Sequence, residues 1–432
     1  MKNNKKNFLI WRRLDNSAKI FPLSTGKKYS TVFRLSVLLK EDIQENILQE
    51  AVIKTLEKYQ SFKVKLKKGF FLHYLEYNAK EPIVEEEKDY PCKYIDPTIN
   101  KGYLFKVTYF KNKINIDIFH ALTDGNSGTV FFREIVYEYL EMYYSKELKK
   151  ENRIVRKIEY DTEDSYKKNY DKKSKSKGDN LKAYKIQGKQ IKLGAVSCIH
   201  QIINLQQLKE ETQKYNVTIT QYLTAVLLYS IYNENYIKNN GKRPIKMYIP
   251  VNLKKYFPSK TISNFFSYIT IIAQVSENKL NTFEGMLELV KNSFSEQLTE
   301  KEIIKTMSNN VKLGNHPFIK VIPLILKIII VRLAYMQIRK YSTITYSNIG
   351  RIGIIGDYKN YIDYFLMLIA PDPYERIKCS SCTFENNMVF TFTSILDDNK
   401  IEKGFYKFLT EKGIEVKIES NGVLNDISAK AK

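Results

Sequence analysis

The chain has 432 residues, 70 lysines and arginines against 47 acidic side chains, a formal net charge of +23 and 43% hydrophobic residues. The apolar share is enough for ordinary globular cores, and the length exceeds what one hydrophobic core commonly holds, so it allows two lobes. The charge comes with no helix-turn-helix pattern, zinc module or RNA-binding signature, so nucleic acid is not an expected partner; what it can do is draw phosphate groups to a basic surface.

The first thirteen residues, Met1 to Arg13, carry too short an apolar core for a signal peptide, and a cytoplasmic location is the expectation. Thr31 to Leu39 reads as a strand, and Ile43, Ile47, Leu48, Ala51, Val52 and Leu56 give Asp42 to Tyr59 helical spacing. Ile114, Ile116 and Ile118 alternate with Lys113, Asn115 and Asp117, which predicts a strand with His120 on its apolar side, just past its end. Thr123-Asp124-Gly125-Asn126-Ser127 is turn and helix-starting chemistry. An amphipathic helix follows through Phe131, Phe132, Ile135, Val136, Tyr139 and Leu140.

The polar, lysine-rich stretch from Asp161 to Lys189 lacks an apolar period and reads as a solvated crossover. The expected division is a first lobe over 1–165, a linker over 166–190 and a second lobe over 191–432. In the second lobe Thr218 caps a helix reaching Ile231, and Lys246 to Val251 is strand-like. Pro323 to Ile338 is the most apolar run, but Lys320, Lys327, Arg332 and Arg339 interrupt it, so a buried helix is expected rather than a membrane span. Peripheral membrane contact is the alternative there. Phe384 to Ser394 reads as a hairpin turning at Asn386-Asn387. Strands and helices alternating in both halves predict an α/β protein with mixed sheets.

A histidine held at a strand end, with a carboxylate four residues on, is how a fold positions a general base; the alternative is a buried histidine satisfied by hydrogen bonds. Cys379 and Cys382 fall on opposite faces of a strand, and Cys92 and Cys198 are isolated, so buried thiols are expected and no metal site is spelled out. Gly350-x-x-Gly353-x-x-Gly356 lacks the features of a phosphate loop and reads as strand and turn glycines. His73, His200 and His316 have no partner pattern.

His120-x-x-x-Asp124-Gly125 resembles the active-site motif of the chloramphenicol acetyltransferase-like, CoA-dependent acyltransferase superfamily. Trp11 to Pro22, Val251 to Phe266 and Tyr346-Ser347-Asn348-Ile349-Gly350 resemble three segments of its alcohol acetyltransferase branch, in the right order. Phe119 stands where peptide-synthesising condensation domains carry a second histidine, and the one tryptophan, Trp11, lies far from the late tryptophan motif of plant members. The resemblance implies two lobes with a channel at their interface, which the buried helix expected from the apolar Pro323–Ile338 run is placed to line. His120 becomes the base in direct transfer from an acyl-CoA to a small alcohol, with no permanently bound cofactor. Asp124 is implied to turn away from substrate and pair with an arginine (Arg12, Arg34 or Arg351), and Gly125 to allow a close approach. Asn264, Ser347 and Asn348 become oxyanion or substrate-binding candidates, against an alternative as plain strand and turn residues. The competing readings are a condensation-type enzyme with a carrier-protein thioester and an amine acceptor, and a silent or membrane-peripheral binding protein. A monomer is expected.

Overall fold

Strand Lys113–Phe119 runs through the middle of a five-stranded sheet because both its faces are covered, not one. The computed structural model describes residues 11–27, 29–148, 162–174, 181–192, 194–274 and 278–424. Within them the sheet order is Ile362–Ile369, Val32–Leu39, Lys113–Phe119, Phe105–Phe110 and Val84–Glu86. Neighbours are antiparallel except the last pair. The isoleucines pack towards helices Glu45–Lys58 and Gly125–Tyr143 in the first core. The alternating polar residues are also buried: Asn115 accepts from Ser36 Oγ at 2.7 Å, and Asp117 accepts from Arg34 Nε at 2.9 Å. Sequence alternation therefore marks a buried polar row, not a solvent face, and its partners come from the adjoining strand and the Cys92 segment of the same half of the chain.

The second sheet has seven strands in the order Phe266–Ala273, Ile245–Asn252, Ile344–Arg351, Ile377–Phe384, Asn387–Ser394, Ser197–Asn204 and Val416–Ser420. Ile344–Arg351 runs parallel to both of its neighbours; the other pairs are antiparallel. Helix Ile219–Ile231 begins at Thr218 with a reciprocal bond to Gln221, as its sequence predicts. The hairpin turns one residue earlier than expected, at Glu385-Asn386. A small third sheet joins Trp11–Arg13, His73–Tyr77 and Val64–Lys68.

Three features depart from the expectations. Strand Ile362–Ile369 pairs with Val32–Leu39, so the first sheet borrows an edge strand from the second half of the chain. The crossover is not simply solvated: Tyr166, Ala183, Tyr184 and Ile186 are buried, and Lys185 Nζ donates to Arg339 O at 2.6 Å. Residues 175–180, like residues 1–10 that bear on the signal-peptide reading, lie outside the described residues. Pro323–Ile338 does form a helix, Leu324–Ile338, but the helix is exposed, with only Leu324 buried. It packs on the short helix Phe21–Ser24 by one side and leaves the rest uncovered. The four cysteines are free and buried, and no described helix is long and apolar enough to cross a membrane.

One buried acid makes stability depend on pH. Glu402, in helix Lys400–Glu411, is 3% exposed and has one carboxyl oxygen without a hydrogen bond. Burial raises its pKa to about 8. An unfolded glutamate titrates near ~4.3, so the folded state holds a proton the unfolded state has lost between these values. Stability accordingly falls as pH rises from about 5 to 8, by on the order of 2–4 kcal/mol. Glu402→Gln is expected to flatten that slope in thermal melts taken across the range; an unchanged slope refutes the assignment.

Candidate active site

His120 follows strand Lys113–Phe119 directly, and its backbone N–H donates to Thr31 O at 3.0 Å, fixing the residue against the neighbouring strand. Its ring lies among three aromatic side chains: Phe21 stacks on it at 4.6 Å between centroids, and Phe33 and Phe266 lie at 5.3 Å. Removal from water in this setting lowers the imidazole pKa, with the Asn264 hydrogen bond and the Asp124 charge pulling the other way. The ring is therefore neutral at neutral pH, the form that accepts a proton.

The tautomer follows from Asn264, which precedes strand Phe266–Ala273 in the other lobe. Its Nδ2 lies 3.0 Å from Asp15 Oδ2 and 3.0 Å from the His120 carbonyl, two acceptors, so that atom is the amide nitrogen. Oδ1 then faces His120 Nδ1 at 2.8 Å and can only accept. Nδ1 carries the proton and Nε2 keeps its lone pair. Asp15 is buried and also accepts from the backbone N–H groups of Ala18 at 2.8 Å and Asn264 at 3.1 Å. Burial lifts its pKa to about 6, against the pull of those bonds.

Asp124 pairs with no arginine among the described residues. Its Oδ1 caps helix Gly125–Tyr143 by accepting from Ser127 N at 2.9 Å, and its Oδ2 accepts from Phe265 N at 3.0 Å, across to the other lobe. The three arginine candidates are engaged elsewhere: Arg34 with Asp117 and Glu87, Arg12 with Ser263 and the Ser61 carbonyl, Arg351 with Glu385. Backbone donors at a helix start satisfy a carboxylate as an arginine does, and no sequence signal distinguishes the two. Asp124→Ala is expected to cost about 1–3 kcal/mol in a denaturant titration, from the lost cap and the orphaned Phe265 N–H. Asp124→Asn keeps the cap but turns an amide donor towards Phe265 N, so it recovers only part of the loss. Gly125 has an ordinary backbone conformation, and its role is space: a Cβ there meets Ile349 Cγ2 at 3.3 Å and Met367 Cε at 3.5 Å.

These residues open onto a cavity of about 730 Å³ between the lobes, whose walls include His120, Gly125, Thr218, Lys255, Phe266 and Ser347. Ser347 and Asn348 lie on strand Ile344–Arg351. Asn348 is engaged within the wall, donating to Thr220 Oγ1 at 2.9 Å and accepting from Gly350 N at 2.8 Å. The strand bulges between Asn348 and Arg351, and Gly350 takes a φ of +78° there. Ser347 presents a hydroxyl with no hydrogen bond inside the described protein. Asn264, with both amide hydrogens engaged, supports His120 instead of facing the cavity as a donor. Reasoning from sequence missed Asp15, Phe21 and Lys255. Asp15 had a signal in the Asp-Asn-Ser-Ala turn of the Trp11–Pro22 segment, but a partner 249 residues away leaves none. No group of histidines, cysteines and acids able to hold a metal occurs among the described residues.

The alcohol acetyltransferase family model matches residues 168–350, a span holding Asn264, Ser347 and Asn348 but not His120. No curated protein matches the chain in sequence. Among solved structures, TRI101 of F. graminearum complexed with coenzyme A and deoxynivalenol superposes with a TM-score of 0.62 at 11% identity, covering 94% of this chain and 99% of that one. The TRI3 trichothecene 15-O-acetyltransferase of Fusarium sporotrichioides gives 0.60 at 8% identity, covering 92% and 94%. The first condensation domain of the calcium-dependent antibiotic synthetase, in complex with a substrate analogue, gives 0.58 at 11% identity, covering 95% and 100%. At these identities the likeness is one of fold: two chloramphenicol acetyltransferase-like lobes, each built on a mixed sheet.

Proposed function

We propose, for a CoA-dependent acyltransferase that carries the alcohol acetyltransferase segment over 168–350 and the two-lobed chloramphenicol acetyltransferase-like fold, direct transfer of an acetyl or longer acyl group to an alcohol. The observation that carries this reading is the His120–Asn264 contact at 2.8 Å, which leaves Nε2 as the proton acceptor in a cavity at the lobe interface. The acceptor's hydroxyl gives its proton to His120 Nε2 while its oxygen bonds to the thioester carbonyl carbon. The tetrahedral intermediate then collapses, the carbon–sulfur bond breaks, and the imidazolium returns the proton to the departing thiolate. The thioester is already activated, so no serine or cysteine nucleophile is needed.

The other site residues take supporting parts in this reading. Ser347 Oγ donates to the oxyanion, a contact typically worth ~10²–10³-fold in such reactions. Asn264 and Asp15 hold the His120 ring, Asp124 joins the lobes behind it, and Asn348 shapes the wall beside Ser347. Lys255, exposed at the cavity, offers charge to the phosphates of coenzyme A. The lobe division at 165 and 190 remains part of the reading, with strand Ile362–Ile369 exchanged into the first sheet.

Thiol release from acetyl-CoA and longer acyl-CoAs, with mixed alcohols and amines as acceptors and mass spectrometry of the product, tests it. Alcohol-dependent release that is lost in His120→Ala is the expected result. Release dependent only on amines, or turnover confined to carrier-protein thioesters, moves the assignment to a condensation-type enzyme. No transfer from any thioester leaves a binding protein of this fold.

A further inference from the structure

Helix Leu324–Ile338 carries apolar side chains on the face that the protein leaves open. Ile325, Leu326, Ile329, Ile330 and Leu333 recur at spacings of one, three and four residues, and each is more than half exposed, with Ile325 at 76%. A second apolar element meets the helix at its start. Phe70, 72% exposed, accepts the Leu324 N–H on its carbonyl at 2.8 Å, and the adjoining Phe71 and Leu72 are also exposed. The two elements adjoin, so their exposed side chains are clustered, not scattered singly as on an ordinary soluble surface.

Charge says what covers the patch. Between Glu302 and Asp357 the sequence holds no acidic side chain and eight lysines and arginines, of which Lys305, Arg339 and Arg351 pair with Glu302, Asp372 and Glu385; Lys63, Lys65, Lys67 and Lys68 precede the Phe70 tip, with Lys65 and Lys67 sharing Glu76. On the helix, Lys327 reaches back to the Phe71 carbonyl at 2.8 Å and Arg332 to the Leu23 carbonyl at 3.2 Å, so both cations flank the apolar face instead of breaking it. An apolar face flanked by Lys327 and Arg332, in a stretch with no acidic side chain of its own, matches the boundary of an anionic bilayer, where acyl chains take the side chains and headgroups take the cations. The helix has 15 residues, too few to span.

We propose that this face docks the protein onto anionic membranes, with helix Leu324–Ile338 lying in the plane of the interface and the Phe70–Leu72 tip inserted beside it. The docked face lies close to the catalytic ring: Arg332 bonds to helix Phe21–Ser24, whose Phe21 stacks on His120. The inference goes beyond acyl transfer and does not depend on it.

The test is flotation of the whole protein with vesicles of phosphatidylcholine alone or mixed with phosphatidylglycerol, at low and high salt. The comparison is the triple variant Ile325→Glu, Ile329→Glu, Leu333→Glu, whose positions are exposed and outside the site. The wild type is expected to float with anionic vesicles, less at high salt, and poorly with neutral ones. The variant is expected to lose at least about tenfold in partitioning, with an unchanged melting temperature and unchanged transfer to a water-soluble alcohol. Wild type that stays unbound, or a variant that floats equally well, overturns the proposal. Equal binding to neutral and anionic vesicles overturns its electrostatic basis. A wild-type dimer that the variant splits, with no vesicle binding, assigns the face to a second copy of the chain. Because transfer is assayed separately, failure of flotation and failure of the enzymatic reading are distinguishable.

Discussion

His120→Ala lowers kcat for acyl transfer by about 10²–10⁴-fold, the span that loss of a positioned general base typically produces, while the fold persists. The ring's backbone neighbours keep their bonds, since the Thr31 and Asn264 contacts to the residue's N–H and C=O do not use the imidazole. Thermal unfolding should therefore stay near wild type. The wild-type pH profile carries a second mark of the same group. Burial among Phe21, Phe33 and Phe266 lowers the imidazole pKa, so the acid limb of kcat/KM falls below the ordinary histidine value near ~6.5. Transfer undiminished in His120→Ala refutes the mechanism; an acid limb above that value refutes the environment assigned to the ring.

Asn264→Ala is the second large effect, and it acts through His120. The substitution removes the acceptor that holds Nδ1–H, freeing the ring to rotate and to carry its proton on the wrong nitrogen. It also takes one of the donors from the buried Asp15 carboxylate. The expected result is a fall of about 10²–10³-fold in kcat, with KM for the acyl-CoA nearly unchanged. Stability should drop by about 1–3 kcal/mol from the under-satisfied Asp15. The distinguishing readout is the pH profile. The Asn264 bond raises the His120 pKa, so its loss moves the acid limb further down. An oxyanion donor at this position would lower kcat and leave the limb in place, and that outcome overturns the positioning role.

Local pattern made much of the molecule legible before any tertiary contact was known. Alternation located strand Val32–Leu39 and strand Lys113–Phe119, and helical spacing located Glu45–Lys58 and Gly125–Tyr143. Thr218 marked a helix start because a threonine ahead of an apolar helical period caps its first turn, and the structure adds the reciprocal bond from Gln221. The His120–Asp124–Gly125 spacing marked a site for the same reason: strand end, turn and helix start are consecutive in the chain.

What the pattern misread has a common cause. Asn115 and Asp117 are the polar residues of an alternating strand, yet both are buried, and only the pairing with strand Val32–Leu39 supplies Ser36 and Arg34 as partners. The apolar run at Leu324–Ile338 looks like core, but hydropathy records what a segment can bury and not what is present to bury it. Asp124 was readable as a carboxylate needing donors, whereas the choice between an arginine and two backbone amides depended on where Phe265 arrives from the second lobe.

By itself the sequence determined the elements, the α/β class and the histidine at the strand end, because strand period, helix period and turn chemistry act over a few residues. Only the tertiary structure decided that Asp15, His120 and Asn264 form one hydrogen-bonded unit, that Ile362–Ile369 completes the first sheet, and that the most apolar helix faces outward. Each of these joins positions far apart in the chain, and such pairings are selected by the packing of two whole lobes, for which no short stretch of sequence carries a signal.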